Sequence, residues 1–388
     1  MRLLLFTGKG GVGKTTLAAA TAATLASQGR RTLVVSTDPA HSLADAFGRP
    51  LGSTPSEVDR RLHAVQIDSR TLVDTAWAEL RGQFKTALLG AGVDSLDAEE
   101  LTVLPGVDEL LALGEVQRLA ESGYWHAVVV DCGPTAETLR LLALPEAVAG
   151  YLSRLYGWQP VSPRARQWTG IAASVARLGK HLESLRSLLT NPELTTVRLV
   201  LTPERMVVAE TRRTLSALAL RGIRVDGLIA NRLMPAAGFW RGGAATWLRM
   251  RREQQDEVLA EISAAGLPAV RSVEHRAVEP VGSDALAEIS KELYGGADPL
   301  AGNAGGIAPL LQVTGSEGGG HRLRVALPLA ADAEVELARI DDDLAITVDG
   351  FRRLIALPML LRSCVITGAE SDTEGLVVIL ADPGSVGR

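Results

Sequence analysis

The 388-residue chain has only two cysteines, Cys132 and Cys364, which lie far apart in the sequence. Two cysteines cannot build a disulfide framework, and no CxxC pair is present that would predict a structural zinc ion. This cysteine usage is typical of proteins in a reducing compartment. We therefore predict a cytoplasmic protein without structural zinc.

Long apolar runs and an excess of positive charge are also missing. No stretch of 18 apolar residues occurs, so we expect no membrane-spanning helix, and the apolar run before Gly8 is too short for a signal peptide. The formal net charge of −5 argues against a dedicated nucleic-acid-binding protein, which usually carries a basic surface. Hydrophobic residues make up 46% of the chain, which is enough for a sizeable core.

Lysine is scarce as well. Only five of the 40 basic residues are lysines, and two of these five, Lys9 and Lys14, lie in the segment GKGGVGKTT (8–16). Because arginine is used almost everywhere else, we predict that these two positions need a compact ammonium group rather than a planar guanidinium.

The segment 8–16 follows a predicted buried strand and opens a predicted helix, which is the context of a phosphate-binding P-loop. In such a loop, backbone N–H groups surround the phosphates of ATP, Lys14 reaches the β- and γ-phosphates, and the Thr15 hydroxyl binds Mg²⁺. A glycine-rich turn with accidental spacing is the alternative. The residues predicted to contact ATP are Gly8, Lys9, Gly10, Gly11, Val12, Gly13, Lys14, Thr15 and Thr16.

The second lysine of the loop, Lys9, lies too near the start of the loop to share the role of Lys14. An added cation can stabilise charge on the transferring phosphoryl group, as an arginine finger does. A solvated surface lysine is the alternative. We predict that Lys9 and Lys14 are both catalytic.

Two aspartates follow predicted strands of the same sheet. Asp38 ends the strand 31–38, where its carboxylate can orient or deprotonate the attacking water. Asp131 ends the strand 126–131 and is predicted to hold Mg²⁺ together with Thr15, in its own case through a water molecule. Each is alternatively a turn or helix-capping residue.

Buried strands alternate with helical patterns over residues 1–294, which predicts an α/β fold with a doubly wound, mostly parallel sheet. Two helical insertions, about 70–122 and 135–190, are predicted to form a helical subdomain at the carboxyl edge of this sheet. The predicted strands are 2–6, 31–38, 62–68, 126–131, 197–202, 224–231 and 267–273.

The composition changes after residue 294. Residues 295–320 are rich in glycine and predict a flexible linker, and residues 321–388 alternate apolar and polar residues with a period of two. This alternation predicts a C-terminal antiparallel β-sandwich.

Several segments carry a family resemblance. KGGVGKTT resembles the deviant Walker A motif of the signature-lysine ATPases. DPAHSLADAFG (38–48) and DCGPTAETLRLLALP (131–145) resemble switches I and II of the arsenite-pump and tail-anchored-protein targeting ATPases. PGVDELLALGEV, TPERMVVAETRR and ANRLMP are similar to other segments of that family. The C-terminal sandwich resembles the α-crystallin domain attached to some bacterial members, although a generic β-sandwich would also fit.

The resemblance implies a homodimer in which Lys9 reaches the nucleotide of the partner subunit. It further implies that Asn231 recognises adenine and that Glu204, in the segment 202–213, contacts the nucleotide. Some family features are absent. Two cysteines cannot supply the three thiolates that arsenite requires, and none of the five methionines lies within 70–190, where a methionine-rich client groove would be expected.

We predict an Mg²⁺- and ATP-dependent homodimeric ATPase whose nucleotide state gates a chamber for a hydrophobic client protein. The tryptophans in or beside the helical insertions line this chamber or fill the core. The basic stretch 160–190 is a candidate for transient membrane contact. A nucleotide-switched regulatory or scaffold protein is the main alternative, followed by an arsenite-efflux or a partition-type ATPase. The four tryptophans are Trp77, Trp125, Trp158 and Trp168.

Overall fold

The structure is a computed structural model. It describes residues 1–38, 42–67, 107–132, 180, 183–238, 241–264, 268–301, 311–315, 320–327, 329, 333–372 and 375–382.

An eight-stranded sheet forms the first part of the fold, with the strand order β3-β4-β2-β5-β1-β6-β7-β8. Its strands are β1 (Arg2–Gly8), β2 (Thr32–Ser36), β3 (Ser56–Asp59), β4 (Leu62–Gln66), β5 (Ala127–Asp131), β6 (Thr195–Leu201), β7 (Val225–Leu233) and β8 (Val270–Glu274). The helices around it are α1 (Lys14–Ser27), Ser42–Phe47, Val107–Glu121, Arg205–Leu220, Gly243–Ala264 and Ser283–Tyr294.

This sheet confirms the predicted α/β class. β1 pairs in parallel with β5, and β5 pairs in parallel with β2, so the central strands run in one direction. Every residue of β2 and β5 is buried, as expected for parallel strands covered on both faces. The edge strand β3 pairs antiparallel with β4 and was not predicted. Its sequence SEVD contains a single apolar residue and so has no hydrophobic pattern, and most of the strand is exposed.

The chain divides into two units. Residues 1–196 and 279–299 form the first unit, and residues 197–278 and 300–388 form the second. In the first unit, the returning helix Ser283–Tyr294 packs against α1. The Thr21 and Tyr294 hydroxyls lie 2.6 Å apart, and Arg30 forms an ion pair with Asp298 at 2.5 Å. These contacts fix α1, which carries the phosphate loop at its N-terminus.

The predicted helical insertions are described only in part. Helix Val107–Glu121 falls within the predicted segment 70–122, and residues 183–190 are helical within the predicted segment 135–190. The remaining parts of both insertions, with Trp77, Trp158 and Trp168, lie outside the described residues. Trp125 is buried, with its ring centroid 5.0 Å from that of His63, so it fills core rather than lining a chamber. In the part of the chain that the structure describes, no helix is both long and apolar enough to cross a bilayer.

The second unit contains the predicted C-terminal sandwich. One sheet has the order β14-β15-β10-β9 and the other the order β11-β12-β13. Its core contains Leu323, Val325, Ile346 and Val378, which agrees with the predicted alternation of apolar and polar residues. The strands are β9 (Leu311–Gly315), β10 (Gly320–Val325), β11 (Val335–Ile340), β12 (Asp343–Val348), β13 (Phe351–Ala356), β14 (Val365–Asp372) and β15 (Gly375–Ala381).

The predicted linker 295–320 is too long at its C-terminal end. β9 lies inside it and pairs antiparallel with β10, so the β-structure begins before residue 321. The apolar alternation of β9 covers only Leu311 and Val313 and is followed by Gly315. An alternation this short could not be recognised as a strand in a glycine-rich segment.

Helix Arg205–Leu220 contributes to the core of the sandwich. Leu220, at the end of this helix, is 1% exposed and belongs to the same apolar cluster as Val325 and Ile346. The guanidinium of Arg353 on β13 donates a hydrogen bond to the Leu220 carbonyl oxygen. The sandwich therefore packs on the C-terminal end of this helix within the second unit, a contact that was not predicted.

Candidate active site

The loop between β1 and α1 has a backbone conformation that requires glycine. Gly11 and Gly13 have φ angles of 75° and 90°, and Gly8 has a φ of 149°. Side chains other than glycine are strained in this region. A Cβ atom built on Gly10 or Gly11 would meet no described atom within 4 Å, so the loop backbone borders open space. A ligand can approach the backbone N–H groups there.

The N-terminus of α1 attracts anions. The first N–H groups of a helix have no partner within it, and the helix dipole places about half a positive charge there. Gly13 at the N-cap has no side-chain capping bond, and the first turn contains no acidic residue. A phosphate group therefore meets no competing carboxylate from the first turn of this helix.

Lys14 and Lys9 differ in burial. Lys14 is only 6% exposed, and its Nζ donates to the carbonyl oxygens of Lys9 at 3.0 Å and Gly8 at 3.2 Å. The ammonium thus folds back over the loop, where it can also contact phosphate oxygens. Lys9 is exposed. The two lysines therefore occupy different environments, which agrees with different roles.

Thr15 joins the phosphate loop to the end of β5. Its hydroxyl donates to Oδ2 of Asp131 at 2.6 Å and lies 2.9 Å from the hydroxyl of Ser42. Oδ1 of Asp131 is buried and has no hydrogen-bond partner among the described residues. A buried carboxylate oxygen without a partner, beside two hydroxyls, fits a hard cation that prefers oxygen ligands. Thr15 and Asp131 would hold Mg²⁺, which would neutralise phosphate charge when bound.

The electrostatics of this cluster centre on Asp131. The pKa of Asp131 is raised from 3.8 to about 6, chiefly by burial and to a smaller extent by the negative charge of Asp38. The hydrogen bonds from Thr15 and Ser36 and the charge of Lys14 oppose this rise in pKa. Burial is the largest cause, so a cation that compensates the carboxylate charge is expected to bind favourably.

Asp38 lies beside Asp131 at the carboxyl edge of the sheet. Ser36 of β2 is paired with Asp131 of β5, and its hydroxyl donates to Oδ2 of Asp131 at 3.3 Å. The same Ser36 oxygen accepts the backbone N–H of Asp38 at 3.3 Å. The structure therefore brings together Lys14, Thr15, Asp38 and Asp131 at the carboxyl edge of the sheet. Such a set can bind a triphosphate and position a water molecule against it.

Two predicted nucleotide contacts belong to the second unit. Asn231 is partly buried near the end of β7. Glu204 immediately precedes helix Arg205–Leu220, and its carboxylate accepts a hydrogen bond from Arg251 at 3.0 Å. Contact of either residue with nucleotide stays a prediction.

Three positioning residues were not found from the sequence. The Ser36 hydroxyl donates to Asp131, and the Ser42 hydroxyl lies within hydrogen-bond distance of the Thr15 hydroxyl. In the segment STDPAHS, which contains both serines, the sequence pointed only to Asp38 as a functional residue. Gln255 is 2% exposed, accepts the N–H of Met234 at 2.7 Å and donates to the carbonyl of Arg232 at 3.2 Å. It fixes the segment that follows Asn231. A glutamine within a charged helix carries no sequence signal for this role.

Cys132 follows Asp131 directly, and its N–H donates to the carbonyl of Phe6 at 3.0 Å. Burial, and secondly the charge of Asp131, raise the pKa of the Cys132 thiol to about 12. The group is therefore a protonated thiol rather than a thiolate at neutral pH. Cys364, the other cysteine, belongs to the second unit.

Comparisons with known proteins show which family the chain resembles. A family model described as "Anion-transporting ATPase" matches residues 1–295, and one described as "HSP20-like domain found in ArsA" matches residues 318–380. The chain is 36% identical to protein Rv2184c of Mycobacterium tuberculosis, over 95% of this chain and 93% of that protein. It is 33% identical to a Chlorobaculum tepidum protein that carries the name arsenical pump-driving ATPase, over 93% and 91%. Protein SCO2128 of Streptomyces coelicolor is 36% identical, over 99% and 98%.

Proposed function

Because the chain belongs to the anion-transporting ATPase family, we propose that it hydrolyses ATP with Mg²⁺ as a homodimer and that its nucleotide state controls the binding of a hydrophobic client protein. The observation that carries the ATPase part is the buried Oδ1 of Asp131, which has no partner in the described chain. It lies beside Thr15, at the start of the helix that carries the phosphate loop.

The proposed reaction cycle assigns one task to each residue. The loop backbone and Lys14 bind the phosphates of ATP, and Thr15 and Asp131 hold the Mg²⁺ ion. Asp38 orients the attacking water and accepts its proton. Lys9 stabilises the charge that develops on the transferring phosphoryl group. Closure of two subunits around the nucleotides then changes the shape of a chamber built from the helical insertions.

The C-terminal domain supports the client part of the proposal. It matches an HSP20-like model, and its described surface exposes Met359 and Leu360 at 84% and 63% of their areas. Adjacent exposed apolar side chains in a domain of this kind suit contact with apolar segments of another protein. We infer that the segment containing Met359 and Leu360 assists in holding the client. We further infer that the protein works in the cytoplasm with at most transient membrane contact.

The decisive experiment identifies bound proteins. Asp38→Asn, which is expected to bind ATP without hydrolysing it, is purified from cells in the presence of Mg²⁺ and ATP. Lys14→Ala, which is expected to bind nucleotide poorly, is the matched control. Enrichment of several membrane proteins with Asp38→Asn alone supports the client hypothesis. A single soluble partner instead supports a nucleotide-switched regulatory or scaffold protein.

Arsenite is a second ligand to test, because a relative carries the name arsenical pump-driving ATPase. The chain has two cysteines, and the thiol of Cys132 is protonated by its raised pKa. We therefore expect arsenite to leave ATP turnover unchanged. A dose-dependent rise in turnover that Cys132→Ala and Cys364→Ala abolish would assign arsenite transport instead.

A further inference from the structure

Three side chains that can bind a metal converge at one end of the sheet β14-β15-β10-β9. They are His321 of β10, Cys364 immediately before β14, and Asp382 immediately after β15. One ligand atom of each residue lies within 4.8 Å of the other two. The cluster belongs to the second unit and contains none of the residues assigned above to ATP or Mg²⁺.

The strand register places all three side chains on one face. His321 is paired with Leu380, and Asp382, two residues further along the same chain segment, shares the face of Leu380. Val365 is paired with Ala381, so Cys364 lies opposite Asp382 when the ladder is continued by one residue. Three neighbouring strands thus direct a nitrogen, a sulfur and an oxygen donor to the same side of the sheet.

This face is the one that forms the core of the sandwich. Leu380 and Cys364 are both fully buried, whereas His321 is partly exposed and Asp382 is exposed. The cluster therefore extends from the apolar core to the solvent, which gives an ion an entry path. The Cys364 thiol donates to Oδ1 of Asp382 at 3.5 Å. The guanidinium of Arg339 donates to the carbonyl of Cys364 and so braces the segment that carries the thiol.

We propose that His321, Cys364 and Asp382 bind one divalent transition-metal ion of the zinc class. Imidazole nitrogen, thiolate sulfur and carboxylate oxygen are the three donor types that zinc uses in proteins. Mg²⁺ and Ca²⁺ prefer sites made of oxygen alone, so this mixed set selects against them. Three protein ligands leave a fourth position for water. Binding releases the thiol proton to the solvent, because the thiolate is the ligand.

The distances fit such an ion. A tetrahedral site with bonds of about 2.0–2.3 Å separates its ligand atoms by roughly 3.3–3.8 Å. Cys364 and Asp382 already lie 3.5 Å apart. Rotation of the more exposed His321 and Asp382 side chains can close the remaining gap. The bound ion would connect β10, β14 and β15 at a single point.

We did not expect structural zinc from the sequence, because only paired cysteines were considered as its signal. The present set has one cysteine, one histidine and one aspartate from three separate segments. No local spacing marks such a set, and only the strand register brings it together.

The test is a titration of the full-length, chelator-treated protein with Co²⁺, without nucleotide. Thiolate ligation of Co²⁺ gives a charge-transfer band in the near ultraviolet, and the chain has only two cysteines. We expect this band to saturate at one Co²⁺ per chain and Zn²⁺ to displace it. Cys364→Ser should abolish the band, whereas the matched control Cys132→Ser should retain it.

The other two ligands are tested by His321→Gln and Asp382→Asn, which change partly exposed or exposed side chains and should fold normally by circular dichroism. Each should weaken Co²⁺ binding at least about tenfold. If the wild-type protein gives no thiolate band, or if the band depends on Cys132, the proposed site does not exist. Unchanged affinity in both His321→Gln and Asp382→Asn would likewise overturn it, since the thiol alone would then account for the band.

Discussion

The hydroxyl of Thr15 donates a 2.6 Å hydrogen bond to Oδ2 of Asp131, which lies 116 positions away in the sequence. This bond ties the start of α1 to the end of β5. It satisfies one carboxylate oxygen of Asp131 and leaves the buried Oδ1 without a partner in the described part of the chain. Folding without nucleotide and Mg²⁺ therefore buries a carboxylate at a cost in stability.

The first prediction concerns this cost. The pKa of Asp131 is raised from 3.8 to about 6, so between these pH values the folded protein holds a proton that the unfolded chain has released. Stability therefore falls as the pH rises through this window. We expect Asp131→Asn to be more stable than wild type at pH 8 by up to about 3 kcal/mol, and the difference to vanish near pH 4. Denaturant unfolding of nucleotide-free, Mg²⁺-free protein at several pH values measures this difference.

The matched control is Asp45→Asn. Asp45 is exposed, so its carboxylate remains hydrated in the folded protein and its removal should bring no comparable gain. If Asp131→Asn were no more stable than wild type at pH 8, the burial cost assigned to Asp131 would be wrong. Asp131→Asn should also lose the Mg²⁺ dependence of nucleotide binding.

The second prediction separates binding from hydrolysis. Lys14 is buried within the phosphate loop, so Lys14→Ala should weaken ATP binding through the loss of a phosphate counter-charge. Asp38 lies beside the site, and Asp38→Asn should bind ATP nearly normally but hydrolyse it at least about 100-fold more slowly. Equilibrium binding and single-turnover hydrolysis measure the two effects. Equal loss of ATP binding in both variants would remove the role assigned to Asp38.

The third prediction concerns Leu220, which is 1% exposed in the core of the sandwich. Leu220→Ala should destabilise the second unit by about 2–5 kcal/mol, because it leaves a cavity under the β-strands. Leu354→Ala is the control, since Leu354 is 43% exposed on β13. Hydrogen exchange of the β10 and β12 amides should accelerate in Leu220→Ala only. Equal exchange rates in both variants would mean that the sandwich does not depend on this helix.

The sequence predicted the parts of the fold that have a regular hydrophobic pattern. Buried strands such as β2 and β5 are continuous apolar runs and were predicted close to their observed positions. The sandwich strands alternate with a period of two, and this alternation predicted the sandwich. β3 and β9 were missed because one is exposed and the other has only two apolar residues before a glycine. Pairing partners supplied by the sheet stabilise both of these short strands.

The candidate site was predictable where its chemistry has a local motif. Lys14, Thr15, Asp38 and Asp131 each follow a strand or open a helix at a characteristic position. Gln255, by contrast, acts through hydrogen bonds to Arg232 and Met234, more than twenty positions away. Contacts of this kind depend on tertiary packing, and no characteristic residue spacing in the sequence predicts them.

The last prediction concerns Lys9. Lys14 is buried and donates to the backbone of its own loop, whereas Lys9 is exposed, so a second subunit has access to it. We predict that Lys9 acts on the nucleotide of the partner subunit. Lys9→Ala should then bind ATP almost normally and hydrolyse it poorly. We expect the activation free energy of hydrolysis to rise by several kcal/mol, as it does when an arginine finger that acts in trans is removed. Lys9→Arg should restore little, because a planar guanidinium does not fit a site shaped for an ammonium.

Mixed dimers distinguish action in trans from action in cis. Heterodimers of Lys9→Ala with Asp38→Asn are prepared with two affinity tags, so that their composition is verified directly. If Lys9 acts in trans, one of the two sites combines the wild-type Asp38 with the wild-type Lys9 of the other subunit, and activity returns to about half of normal per dimer if the sites are independent. The other site combines both substitutions and stays inactive. If Lys9 acts in cis, every site lacks one group and the heterodimer hydrolyses no more ATP than either parent. That outcome would remove the reason to expect a catalytic dimer, since the exposed lysine would then serve its own loop.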